Sequence, residues 1–451
     1  MHKTQHCLNI SAAALTCIVA ACCSAPVENV TLLTLDPGHF HAALVQKTQY
    51  PGVSPDVYVY APEGEDLQQH LLKVRSYNER PEDPTSWNEI VYTGEDFFEQ
   101  MISQRKGNVM VTSGNNRKKT DYILRTLQAG INVLSDKPMA INSDKFETLK
   151  ECFATAKGKG LLLYDIMTER FEISTILQRE LAHIPAIYGE QLCGSTEQPG
   201  IELRSVHNFY KNVSGNALVR PAWFYDVRQQ GEGIADVMVH LVDLVQWQCF
   251  PEIAIDYATD VGIDGARHWP TPLSREQFKK STGLDRYPDF LEEDVVRGEL
   301  QVYANGEINF SVKGVNARTT VLWDFEAPGG AGDSHYCLMR GSKANLVIRQ
   351  GVEENYRPEL YIEPLEGDIP ELESVFSSTV AAKYPGVGLE RAGREWHVLI
   401  TDSYRVGHEA HFGQVTQNFL GYLSDGSLPE WEVPNMISKY YITTTAWSMV
   451  Q

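Results

Sequence analysis

Ser135-Asp136-Lys137-Pro138-Met139-Ala140 sets a cation beside a carboxylate, and Gly231-Glu232-Gly233-Ile234-Ala235-Asp236 leads about a hundred residues later to His240 and Asp243. Together they supply a cation, a titratable imidazole and carboxylates, the groups that acid–base chemistry near neutral pH uses. Asp236, His240 and Asp243 fall at i, i+4 and i+7, which predicts a helix carrying all three on one face. Val237, Val239, Leu241, Leu244, Val245 and Trp247 would bury its other faces. Pro138 disfavours a helical Lys137 and holds it extended.

These groups need a scaffold. Between Val30 and Ile166, short apolar runs (30–35, 56–60, 108–112, 131–134 and 161–164) alternate with amphipathic helical stretches, which predicts a doubly wound, Rossmann-like parallel sheet over 30–166 with ligands at the carboxyl ends of its strands. The first strand runs into Asp36-Pro37-Gly38-His39-Phe40-His41. Against the G-x-G-x-x-G phosphate loop only Gly38 survives, with Asp36 and His41 at the outer glycine positions. Gly38, His39 and Phe40 still lie at a strand-to-helix turn able to offer amides to an anion. Glu63 is the nearest acid after the second strand, and Ser113, Asn115, Asp136 and Lys137 follow the later ones. Arg117, Lys118 and Lys119 are either available to phosphate or a solvated charge run. Asp36, His39 and His41 offer metal-binding side chains, but with no second matching cluster no metal centre is expected.

From residue 167 to 451 the pattern changes. A helix over 172–181 precedes alternating runs at 186–193, 202–209, 298–303, 308–313, 319–325, 335–339, 345–349 and 360–363, with Ala304-Asn305-Gly306 as a hairpin turn. This predicts an α+β domain with a large open, mostly antiparallel sheet, closed by helices over 411–423 and from about 434. Arg170, His207, Trp223 and Asp243 are candidate substrate contacts, charged and aromatic side chains near the two motifs.

Ala129-Gly130-Ile131-Asn132-Val133-Leu134-Ser135-Asp136-Lys137-Pro138-Met139-Ala140 resembles the A-G-x-x-V-x-x-E-K-P-x-A signature of the glucose-fructose oxidoreductase and inositol dehydrogenase (Gfo/Idh/MocA) family. The run from Gly231 to Asp243 resembles its second signature, G-G-G-x-x-x-D-x-x-x-H-x-x-D. Both occur in the family's order and separation. The resemblance implies NAD as cofactor, with NADP open, and catalytic roles for Lys137, Asp236 and His240: the lysine beside nicotinamide and substrate, the aspartate and histidine binding and deprotonating a sugar hydroxyl. It implies a sugar or glycoside substrate and permits a homo-oligomer through the open sheet. Two other outcomes stay open, a redox-assisted glycosidase or lyase and a sugar-binding lipoprotein without activity.

The amino-terminal end points to export. Lys3 precedes an apolar stretch from Ala12 to Ala21, and Val19-Ala20-Ala21-Cys22 reads as a lipoprotein cleavage box, so that 1–21 is a signal peptide, Cys22 the lipidated residue and 22–29 a tether. The expected location is the periplasm or cell envelope, with membrane contact through the lipid alone. A dinucleotide there would have to be tightly held. A net charge of −20 argues against nucleic acid as a partner. The cysteines are scattered, and free buried thiols are expected.

Overall fold

The computed structural model describes residues 30–213 and 216–451; the expected leader, Cys22 and the tether lie outside the described residues. The first domain is built on six parallel strands, β1 (Leu32–Leu35), β2 (Asp56–Tyr60), β3 (Asn88–Tyr92), β4 (Val109–Thr112), β5 (Asn132–Asp136) and β6 (Leu163–Ile166), in the order β3-β2-β1-β4-β5-β6. Helices α1 (His41–Val45), α2 (Glu65–Glu79), α3 (Phe97–Gln104), α4 (Asn116–Gln128) and α5 (Ser143–Lys159) make the crossovers. β1, β4 and β6 are buried along their whole length, as strands covered on both faces must be. Strand order reverses between β1 and β4, so the turns 36–40 and 113–115 open onto the crevice where such sheets receive ligands. β3 escapes the sequence reading because, as an edge strand, it has no buried residue and its apolar run is only Ile90-Val91-Tyr92.

Beyond α6 (Ile173–Ala182) lies a mixed sheet of ten strands. Its main path is β10 (Val261–Leu273), β12 (Glu299–Val312), β13 (Val315–Asp324), β7 (Ile201–Asn208), β14 (Ser334–Arg340), β15 (Ala344–Gln350), β16 (Glu359–Pro364), β18 (Glu395–Leu399) and β17 (Gly388–Ala392), with β11 (Val295–Val296) beside β12 and a separate ribbon of β8 (Asn212–Val213) and β9 (Asn216–Ala217). Among the described residues of this sheet, only the β13–β7 pairing is parallel. Its helices are α7 (Val227–Gln230), α8 (Met238–Cys249), α9 (Arg275–Thr282), α10 (Leu372–Phe376), α11 (His408–Asp425) and α12 (Glu432–Met449).

Two sequence expectations fail here. Residues 186–193 start as turns that continue α6, with Tyr188 N–H bonded to Ile184 O, and meet the sheet through scattered contacts and not as a strand: the isolated bridge Gln191–Gly341, Leu192 N–H to Arg340 O and Asn316 N–H to Cys193 O. Ala304-Asn305-Gly306 is not a hairpin turn: β12 runs straight through it, paired with β10 on one side and β13 on the other. Asn305 is buried, donating to Trp269 O and the Thr271 hydroxyl and accepting from Trp323 N–H, so its amide repairs the ladder where β12 carries one residue more than β10.

The division in space differs from a single cut at residue 166. Phe412, Val415, Phe419 and Leu420 of α11 and Met436 and Tyr440 of α12 join the core of the first domain, so the chain returns to its amino-terminal half. Among the described residues no helix is long and apolar enough to cross a membrane. Cys152, Cys249 and Cys337 are free, as expected, whereas Cys193 is disulfide-bonded.

Candidate active site

β5 ends by delivering Asp136 and Lys137 into the crevice, with a cis Lys137–Pro138 peptide. Beneath them lies a residue whose role the sequence reading missed. Lys119 is buried on α4, and its ammonium donates to Asp136 O at 2.9 Å and Lys137 O at 3.4 Å. Burial pushes its pKa down to about 8. Lys119 shares the buried face of α4 with Asn116, Thr120, Ile123 and Leu127, and this helical spacing was the available signal. Arg117 and Lys118 are exposed.

The facing wall comes from the sheet domain. Gly231 has φ 97°, and Gly233 lies so close to β12 that a Cβ there would sit 1.7 Å from Ala304 O; at Gly306 a Cβ would lie 2.9 Å from Ile234 Cβ. The glycines let the segment 231–236 lie directly on the strand. Asp236 therefore sits in the turn before α8, which starts at Met238, and not on the helix itself. One Asp236 oxygen accepts from Lys137 Nζ at 2.7 Å and the other from Gln230 Nε2 at 2.9 Å. This ion pair joins the two domains across the cleft, with side chains only 10 % and 7 % exposed.

His240 stands on the first turn of α8. Its Nδ1 is buried and has no hydrogen-bond partner among the described residues. Burial, with Lys137 adding to it, lowers its pKa to about 3, so the imidazole is neutral at physiological pH. Asp243 does not orient it. Asp243 accepts from Arg170 Nε at 2.6 Å, Arg170 Nη2 at 2.7 Å and Lys439 Nζ at 3.0 Å; Arg170 also reaches Glu432 at 2.9 Å, and Lys439 reaches Asp165 at 2.8 Å. Arg170 and Asp243, expected at the substrate, thus neutralise each other inside the protein. The three groups read onto one helical face diverge because Asp236 precedes the helix and Asp243 points into this network.

Other predicted residues separate into two neighbourhoods. His207, on β7, bonds Asp333 and Ser205 and packs against Trp323 with the rings tilted by 32°. Glu169 lies 3.4 Å from His408, and although burial acts to raise its pKa, that hydrogen-bonded partner outweighs burial and holds its carboxyl well below the usual range. Sequence inspection missed Glu169 and His408 as cleft groups, because they lie almost 240 residues apart in no shared motif. Ser113 Oγ donates to Asp136 Oδ2 at 2.7 Å, and His41 Nδ1 lies 3.0 Å from the same oxygen. Asn115 caps α4 and donates to Gln229 of the other domain at 2.6 Å. Glu63 is exposed.

Residues 177–451 match the family model described as "Putative oxidoreductase C terminal domain", and residues 59–164 match "Oxidoreductase family, NAD-binding Rossmann fold". The chain belongs to the Gfo/Idh/MocA family of oxidoreductases. Within this family it is similar to the crystal structure of a "putative oxidoreductase" from Parabacteroides merdae, with 57% identity over 94% of this chain and 98% of that one and a TM-score of 0.92. KijD10, a 3-ketoreductase from Actinomadura kijaniata in complex with NADP and TDP-benzene, shares the fold at 13% identity and TM-score 0.57, covering 94% of this chain and 98% of its own. GenD2 from gentamicin A biosynthesis, in complex with NAD, does so at 13% identity and TM-score 0.57, covering 94% of each chain. No curated protein matches the chain.

The Gfo/Idh/MocA chain therefore has an NAD-binding Rossmann domain, and its residues can be tested against that cofactor. Asp36, with φ 46°, takes the left-handed turn that the first glycine of the fingerprint would supply. Gly38 keeps the backbone bare at the middle position, while His41 replaces the third glycine. A Cβ on Gly38 would lie 3.1 Å from both Asp66 Oδ2 and Trp223 Cζ2, and Trp223 Nε1 donates to that same Asp66 oxygen at 3.0 Å. The turn and the strand-end donors fit a dinucleotide. Trp223, expected to face substrate, lies against this turn, held there by its bond to Asp66.

Proposed function

We propose that this protein moves a hydride between a ring carbinol of a sugar or glycoside and a tightly held nicotinamide cofactor. The observation that carries the reading is the Lys137–Asp236 pair bridging the cleft beside a neutral His240 whose Nδ1 has no partner among the described residues. An unmade hydrogen bond at a buried nitrogen costs about 1–3 kcal/mol, which a substrate hydroxyl in the cleft would relieve. Bound nicotinamide supplies the hydride acceptor or donor. His240 takes the hydroxyl proton in the oxidising direction and returns it to the oxygen in the reducing one. Lys137 stabilises the negative charge that develops on that oxygen, and Asp236, fixed by Gln230, keeps the lysine in place. The ketone reduction named for KijD10 is the same class of chemistry.

Export and lipid attachment at Cys22 belong to this proposal and rest on the leader sequence alone. Outside the cytosol, a cofactor that stays bound through turnover is the arrangement that allows such a reaction to run.

Denaturing the purified mature protein and assaying the supernatant for dinucleotide tests the reading. Bound NAD(H) or NADP(H), or tight binding of either when added, is expected; neither would defeat it. With cofactor present and sugars screened for keto products, His240→Ala should keep the fold and lose turnover by about 10²–10⁴-fold, the usual cost of a positioned base. Near-full activity in that variant would remove His240 from the mechanism.

A further inference from the structure

We propose that His39, His41 and Asp136 form a binding site for one divalent transition-metal ion at the mouth of the Rossmann crevice. One ligand atom from each lies within 4.8 Å of the other two, with His41 Nδ1 and Asp136 Oδ2 3.0 Å apart and the two imidazole rings edge to face at 4.1 Å. The histidines come from the turn after β1 and the aspartate from the end of β5, 95 residues from His41. The fold, not local sequence, gathers them.

The chemistry of the donors favours an ion over a merely structural hydrogen bond. Two imidazoles and a carboxylate suit zinc, manganese, iron or cobalt rather than calcium or magnesium, which prefer all-oxygen cages.

Their surroundings fix them as supporting groups fix ligands. Ser113 Oγ donates to Asp136 Oδ2, Lys119 holds the Asp136 carbonyl, and Phe412 packs on the His41 ring at 4.6 Å. The single hydrogen bond to the His39 ring, from His41 N–H, is long at 3.4 Å and easily exchanged for a metal bond. Two nearby cations could repel the ion. Lys137 is neutralised by Asp236 at 2.7 Å, and Lys119 is directed at carbonyl oxygens. Among the described residues no fourth His, Cys, Asp or Glu joins the group. Three protein ligands with open positions describe a site that takes an oxygen from a ligand in the cleft.

The mature chain, produced without a metal-affinity tag or chelator, should retain about one equivalent of a first-row metal by elemental mass analysis. After stripping, Co²⁺ added alone should give the visible absorption of a nitrogen-ligated site. His39→Gln, His41→Ala and Asp136→Asn should each weaken Co²⁺ binding by about 100-fold or more. His183→Ala, at an exposed histidine, should not. Near-ultraviolet circular dichroism on every variant shows that packing survives, and His39→Gln and Asp136→Asn serve if His41→Ala misfolds. No retained metal together with no Co²⁺ spectrum, or binding indifferent to the three substitutions, overturns the site. Dinucleotide binding is measured separately, so the failure of the metal site and of the proposed reaction are distinguishable.

Discussion

Asp243→Asn separates a buried staple from a catalytic group. The wild-type side chain is 3 % exposed and accepts three charge-assisted bonds, two from Arg170 and one from Lys439. Asparagine keeps the volume but removes the charge, and its NH₂ turns a donor towards other donors. Removing one partner from a buried ionic group costs about 3–5 kcal/mol. Arg170 keeps Glu432 at 2.9 Å and Lys439 keeps Asp165 at 2.8 Å, so the loss should fall near the lower end, about 3 kcal/mol. Against a stability of about 5–15 kcal/mol this is large. Urea unfolding should show a lower midpoint with an unchanged slope, while kcat, measured where the variant is fully folded, stays near wild type. The wild-type contribution also has a pH sign. Burial raises the Asp243 pKa, but Arg170 and Lys439 outweigh it and leave the carboxyl below its unfolded value, so the stabilisation is present above about pH 4 and lost as pH falls through the lower folded value. Unaltered unfolding with kcat down about 100-fold would refute this reasoning and make Asp243 a partner of the chemistry.

Gly233→Ala should be costly, because its Cβ would meet Ala304 O at 1.7 Å and force the Asp236 segment off β12. A shift of about 1 Å predicts a fall in kcat/KM of about 100-fold, with soluble, folded protein by circular dichroism; wild-type kinetics would show that the segment can move freely. His240, His335 and His411 have folded pKa values of about 3, 4 and 4, all lowered chiefly by burial. Because these lie below the unfolded 6.5, the unfolded chain takes up protons first as pH drops. Stability is then greatest above about pH 6.5, and each group removes up to about 2 kcal/mol between pH 7 and 5. Thermal melting should show that loss, and His411→Leu should lessen its steepness by about one proton; a melting temperature independent of pH over this window would contradict buried neutral histidines.

The parallel sheet was legible because β1, β2, β4, β5 and β6 are apolar runs of the right length, and the two signatures marked Lys137, Asp236 and His240. What escaped did so for physical reasons. β10 offers no alternation, since nearly all of it is half-buried, and a bulge interrupts its register. Asn305-Gly306 has the composition of a turn, yet the glycine is there because Ile234 needs the room. Lys119, Arg170 and Asp243 look like surface or site charges to any reading that cannot see their partners, which arrive from other helices and strands.

Two ionic systems divide the work between them. Lys137–Asp236 bridges the cleft, where a substrate oxygen could share the lysine. Behind it, Arg170, Asp243, Lys439, Asp165 and Glu432 lock α8 and α12 to the end of β6. Tyr440 on α12 carries the link further: its hydroxyl donates to Asp165 at 3.1 Å and accepts from Met139 N–H at 2.9 Å, two residues after Lys137. The lysine loop and the histidine helix are therefore positioned by neighbouring residues of α12, Tyr440 for the loop and Lys439 for the helix, both of which also hold Asp165. Proton and hydride transfer tolerate little displacement of the reacting groups. A carboxyl-terminal helix folded back between the domains is how this chain holds Lys137 and His240 in one register.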